Sequence, residues 1–125
     1  MAQPKKRILI IDDDQTVLSV MSDLLTFLGY DVKATSEGLE GVDLLQQEAF
    51  DLVIVDMIMP QVGGLALSKV IRQEKPQIPI LAISGHYEKL LSTVHKPEVD
   101  AILPKPVTLE TLRTTLNDMF EEKGN

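Results

Sequence analysis

Leu52-Val53-Ile54-Val55-Asp56-Met57-Ile58-Met59-Pro60 sets four branched apolar residues directly against an aspartate. Such a run suits a strand buried on both faces, as in a parallel sheet flanked by helices. Aspartate is poor inside a strand and costly to bury unpaired, so Asp56 is expected where the strand ends and opens into a crevice. A helix cap is the competing role for Asp56. It would need a helical run directly afterwards, and Met59-Pro60-Gln61-Val62-Gly63-Gly64 intervenes.

Working outward, Ile8-Leu9-Ile10-Ile11 is a second buried-strand run, and it too ends in acid, Asp12-Asp13-Asp14. Val17, Leu18, Met21, Leu24, Leu25 and Leu28 then form the stripe of an amphipathic helix that stops at Gly29. Asp31 to Thr35 alternates like a half-exposed edge strand. Ser36 is placed to cap the next helix, with Leu39, Val42 and Leu45 on its inner face. Beyond the central strand and the Gly63-Gly64 turn, Leu65, Leu67, Val70 and Ile71 predict a third helix closed by Lys75-Pro76. Ile78 to Ile83 is a further buried strand, followed by Ser84-Gly85-His86 and a short helix over Tyr87 to Val94. Ala101-Ile102-Leu103 is a brief strand, put at an edge by Pro104, and Thr108 caps a last helix with Leu112, Leu116, Met119 and Phe120 inward.

Five β/α units predict an α/β fold, a doubly wound parallel sheet with helices on both faces. The hydrophobic runs belong at the centre and the mixed ones at the edges, which gives the order 2-1-3-4-5 and a crevice where strands 1 and 3 part. Asp12, Asp13, Asp56, Ser84 and Lys105 all fall at strand carboxyl ends facing that crevice.

At 125 residues the chain is expected to be one domain, 1–125, ordered over about residues 5–122. A net charge of −7 disfavours direct contact with nucleic acid or anionic membrane. Lys5-Lys6-Arg7 is the one basic cluster and is read as a solvated terminus. The absence of cysteine excludes disulfides and thiolate metal sites, and no apolar run approaches membrane-spanning length, so a cytoplasmic location is expected.

Three carboxylates against one ammonium leave the crevice with a formal charge of −2. At about 5 Å and an effective dielectric near 20, each carboxylate pair repels by roughly 3 kcal/mol, which a divalent cation would relieve. Hard oxygen ligands point to Mg²⁺ or Mn²⁺. A carboxylate, a hydroxyl and a lysine around such an ion suit phosphoryl transfer with Asp56 as nucleophile. Neither a Gly-x4-Gly-Lys-Ser/Thr loop nor a Gly-x-Gly-x-x-Gly is present, so the phosphoryl group is expected to arrive already activated.

Ile10-Ile11-Asp12-Asp13-Asp14, Val55-Asp56-Met57-Ile58-Met59-Pro60 with Gly64, Ile83-Ser84-Gly85 and Lys105-Pro106, in this order and spacing, resemble the receiver domains of two-component response regulators, chemotaxis regulators among them. The resemblance implies a flavodoxin-like (βα)5 fold and a phosphoacceptor that is not itself an enzyme. In that pattern Asp56 takes a phosphoryl group from a sensor histidine kinase or a histidine phosphotransfer protein and then controls contacts with a downstream protein. It further implies Mg²⁺ held by Asp13, Asp56 and the Ile58 backbone carbonyl, with Asp12 acting mostly through water. Ser84 becomes the switch hydroxyl, Lys105-Pro106 a cis peptide, and Ile58 and His86 the residues that tune phosphoryl lifetime. Three positions depart from the family pattern: Ile102 replaces a switch aromatic, Val107 a common Phe, and Glu98 a usual Gly. The alternative is a Mg²⁺-dependent aspartyl-phosphate phosphatase. Those enzymes place a second Asp two residues after the nucleophile, where this chain has Ile58.

Overall fold

A computed structural model of the chain describes residues 4–57, 63–85 and 99–124. Its elements are β1 (Arg7–Ile11), α1 (Gln15–Phe27), β2 (Asp31–Thr35), α2 (Gly38–Gln47), β3 (Leu52–Asp56), α3 (Gly64–Glu74), β4 (Ile80–Ser84), β5 (Ala101–Pro104) and α4 (Leu109–Gly124). The strands form one parallel sheet of order β2-β1-β3-β4-β5, as the hydrophobic ranking predicted. The helix expected over Tyr87 to Val94 lies outside the described residues.

Strand periodicity divides the core into two layers. Leu9, Ile11, Val53, Val55, Ile80 and Ala82 meet Val42 and Leu45 of α2 and Leu67 and Ile71 of α3. Their neighbours in sequence, Ile8, Ile10, Leu52, Ile54, Leu81 and Ile83, point the other way, onto Leu18, Met21 and Leu25 of α1 and Leu112, Leu116 and Met119 of α4. Both faces are therefore covered, which is why β1, β3 and β4 read as continuous apolar runs. Ile102 is half-buried against the first layer and Val107 against the second.

Three local expectations change. Leu39 is 69% exposed, whereas Gly41 is buried, because a Cβ at Gly41 would fall on the Ile11 side chain. The bare glycine lets α2 lie close on β1, and this contact, which hydropathy does not register, sets which face turns inward. The cap of α2 is Glu37 and not Ser36, and the Thr35 hydroxyl accepts the Glu37 N–H at 3.2 Å. Arg7 is no solvated terminus. Its guanidinium donates to Asp31 at 3.1 Å, Glu48 at 2.9 Å and the Ala49 carbonyl at 3.0 Å, and it lies over the Phe50 ring. These contacts tie β1, β2 and the end of α2 together at the pole opposite the strand carboxyl ends.

Candidate functional site

Each strand carboxyl end delivers its side chain for a local reason. β1 ends at Ile11, and Asp12 continues its direction because the Asp12 N–H still reaches the Thr35 carbonyl of β2 at 3.2 Å. The chain then turns: the Asp14 N–H donates back to Asp12 Oδ1 at 2.9 Å, while the Asp14 carboxylate caps α1 by accepting from Thr16 and Val17. Thus the third acid serves the helix and Asp13 stays exposed at the rim.

Asp56 is the last residue of β3, paired in register with Ile83 of β4. The next peptide remains anchored on both sides, with the Met57 N–H donating to the Ile83 carbonyl and the Met57 carbonyl accepting from Gly64 at 3.1 Å. Gly64 approaches so closely that a Cβ there would stand 2.5 Å from the Asp56 carbonyl oxygen. A side chain at Gly64 would therefore displace the backbone that carries Asp56. In the sequence Gly63-Gly64 reads as a turn and Gly64 as part of the family pattern; what the sequence does not supply is the physical reason for Gly64, its contact with the Asp56 and Met57 backbone.

β4 ends at the buried Ser84, whose carbonyl accepts the Lys105 N–H at 2.8 Å. That bond carries Lys105, just past β5, back over the crevice, and the Lys105-Pro106 peptide is cis. The Lys105 ammonium stands 3.1 Å from Asp12 Oδ2 and 3.3 Å from Asp56 Oδ2. Burial acts to lower its pKa, but the Asp12 and Asp56 carboxylates together outweigh burial and hold it above the ordinary lysine value.

Asp12, Asp13 and Asp56 can bring one carboxylate oxygen each within 4.8 Å of the others. Oxygens on opposite sides of a Mg²⁺ ion stand about 4 Å apart, so the trio fits a hard divalent cation after a small adjustment. Asp12 Oδ2 is buried and already faces one cation, the Lys105 ammonium at 3.1 Å. One ammonium against three carboxylates leaves the site net negative, which a further cation would relieve. The structure thus gathers Asp12, Asp13, Asp56 and Lys105 in one crevice, with Ser84 at the neighbouring strand end, while Ile58 and His86 lie outside the described residues.

Comparison with known proteins points the same way. The family model for the response regulator receiver domain matches residues 8–117. The response regulator MprA of Mycobacterium sp. (strain KMS) is 33% identical over 108 residues, covering 85% of this chain and 46% of that protein. The hybrid signal transduction protein dokA of Dictyostelium discoideum is 32% identical over 129 residues, covering 99% of this chain and 8% of that protein. The chain therefore spans less than half the length of these curated relatives. Among solved structures, a response regulator receiver domain protein from Clostridium thermocellum superposes with a TM-score of 0.84 at 28% identity, covering 95% of this chain and 97% of that one. The response regulator TrrA of Thermotoga maritima, solved in complex with Mg²⁺-BeF, gives a TM-score of 0.79 at 27% identity, covering 90% of this chain and 97% of that one.

Proposed function

Because the chain belongs to the response regulator receiver domain family, we propose that Asp56 is its phosphoacceptor and that Mg²⁺ binds at Asp12, Asp13, Asp56 and the Ile58 backbone carbonyl. The observation that carries this reading is the Lys105 ammonium poised between two buried carboxylates, beside a third acid that completes a cation site. When bound, Mg²⁺ or Mn²⁺ supplies positive charge to the phosphoryl oxygens. An Asp56 carboxylate oxygen forms the new bond to phosphorus as the nitrogen–phosphorus bond of a phosphohistidine breaks, and the bonding pair stays on the imidazole. The Lys105 ammonium pairs with one phosphoryl oxygen, and the Ser84 hydroxyl donates to another. The backbone that carries Asp56 lies in close contact with Gly64, and Met57 beside it is buried.

The donor in this reading is a sensor histidine kinase or a histidine phosphotransfer protein, and the output is a contact with a downstream protein. Residues 1–125 act as one receiver domain in the cytoplasm. Among the described residues no helix is long and apolar enough to cross a membrane. The net charge of −7 weighs against direct binding to nucleic acid. Ile58 and His86 sit in sequence two residues past Asp56 and Ser84, and we assign them the tuning of phosphoryl lifetime.

The test is incubation with Mg²⁺ and acetyl phosphate, followed by intact mass measurement. One added phosphoryl group is expected on wild type and none on Asp56→Asn. An unmodified wild-type chain, or a modified Asp56→Asn, overturns the assignment.

A further inference from the structure

We propose that Thr35, linked to Glu40, is a positioning residue for the acid crevice, setting the Asp12 peptide through a hydrogen-bond relay that starts in the first turn of α2. Thr35 is the last residue of β2, stands opposite Ile11 in the strand register and is buried. Three hydrogen bonds meet on it. Its carbonyl accepts the Asp12 N–H at 3.2 Å, its hydroxyl accepts the Glu37 N–H at 3.2 Å, and the same hydroxyl donates to Glu40 Oε1.

Glu37 is the cap residue of α2, yet no side chain of its own closes the cap. In an ordinary capping box the carboxylate three residues on, here Glu40, would reach back to the cap N–H itself. In this chain the strand hydroxyl stands between the two, so among the described residues the cap is closed through Thr35. The relay holds the α2 start to the β2 end, and Gly41 presses the same helix turn onto Ile11, the residue before Asp12. Asp12 is therefore fixed from two sides: its peptide by Thr35, its carboxylate by the Asp14 N–H and the Lys105 ammonium.

The inference rests on the reading above that Asp12 helps to hold Mg²⁺. The relay stands outside the ion's contact shell, and Thr35→Val would remove the hydroxyl without changing volume or charge. We expect Thr35→Val to weaken Mg²⁺ binding about tenfold, the low end for groups that orient metal-binding carboxylates. Thr35→Ser, which keeps the hydroxyl, should bind like wild type. Calorimetric titration with Mg²⁺ alone gives these affinities, and melting curves without Mg²⁺ report the stability change separately. Wild-type affinity in Thr35→Val, whatever its melting temperature, overturns the inference and leaves the hydroxyl a helix cap. If Thr35→Val does not fold, the exposed Glu40 decides: Glu40→Ala should bind Mg²⁺ more weakly than Glu40→Gln, which keeps an acceptor, and equal affinities overturn the inference. A wild-type chain that binds no Mg²⁺ overturns the metal reading itself, and this inference with it.

Discussion

Replacing Lys105 by methionine keeps the length of the side chain and removes its charge from between two carboxylates. Asp12 and Asp56 are 0% and 4% exposed at the side chain and face the ammonium at 3.1 and 3.3 Å, while the lysine side chain is 24% exposed. At these separations and an effective dielectric near 20, each contact is worth about 5 kcal/mol before the cost of desolvation. Stripping a partner from a fully buried ion pair costs about 3–5 kcal/mol, and the lysine's partial exposure lowers the expected loss to about 2–3 kcal/mol. For a domain of this size that loss corresponds to a fall in melting temperature of roughly 10 °C. The same substitution leaves the crevice more negative, so Mg²⁺ should bind at least about tenfold tighter, equivalent to about 1.4 kcal/mol. Urea unfolding at pH 7 without metal measures the first effect, and Mg²⁺ titration of the folded protein measures the second. A Lys105→Met variant as stable as wild type, or one that binds Mg²⁺ no more tightly, would refute the view that the ammonium neutralises the two acids.

Asp13→Asn should weaken Mg²⁺ binding while raising the melting temperature of the metal-free protein, because it relieves repulsion in the acid cluster; a lower metal-free melting temperature counts against that repulsion. The Lys105 pKa is raised on folding, so its contribution is complete below the unfolded value near 10.5 and is lost as pH rises through the folded value. Lys105→Met should therefore lack that alkaline loss, read by unfolding titrations in a Tyr30→Phe background, since burial also raises the Tyr30 phenol. Glu48 is held below the ordinary value by Lys33 first and then Arg7, so its contribution is present above about pH 4.5 and lost as pH falls through the folded value. Glu48→Gln should accordingly flatten the acid limb of the stability curve, and an unchanged limb excludes the pair as a source of acid sensitivity. Gly64→Ala should cost about 2–3 kcal/mol in denaturant unfolding, because its Cβ meets the backbone of Asp56 and Met57. Gly41→Ala should cost less, since it meets the Ile11 side chain, which can turn aside.

The sheet order was legible because each central strand carries apolar side chains on both faces, and only a strand covered on both sides needs that pattern. The crevice was legible for the same reason. A fully apolar run that meets an acid marks a strand end where a charge is carried into the interior and needs a partner, and β1 and β3 lead into the buried Asp12 and Asp56 in that way. What escaped were interactions whose two halves lie on different elements and are ordinary on each. Thr35 looks like any residue of a half-exposed edge strand and Glu40 like any acid on a helix surface, until the fold sets one hydroxyl between a cap N–H and a carboxylate. Arg7 reads as part of a basic end until Asp31 and Glu48 arrive from β2 and α2.

Glycine is silent in another way. It adds nothing to hydropathy, so periodicity placed Leu39 on the inward face of α2 with Val42 and Leu45, and of the three only Leu39 is turned out, where Gly41 packs closely on Ile11 instead. Gly64 repeats this at the site, where a missing Cβ lets α3 begin against the peptide that carries Asp56. Both glycines press a helix onto the carboxyl end of a strand, one beside Asp12 and the other beside Asp56. The two deepest acids of the crevice are thus each placed by a helix start lying close on the strand behind them. With Mg²⁺ held at Asp12 and Asp56 as proposed above, stability and metal affinity should be coupled at these two positions. A bulkier residue at either should disturb Mg²⁺ binding even though neither is among the proposed ligands, whereas an equal loss of stability made at the Arg7 pole should leave the affinity unchanged.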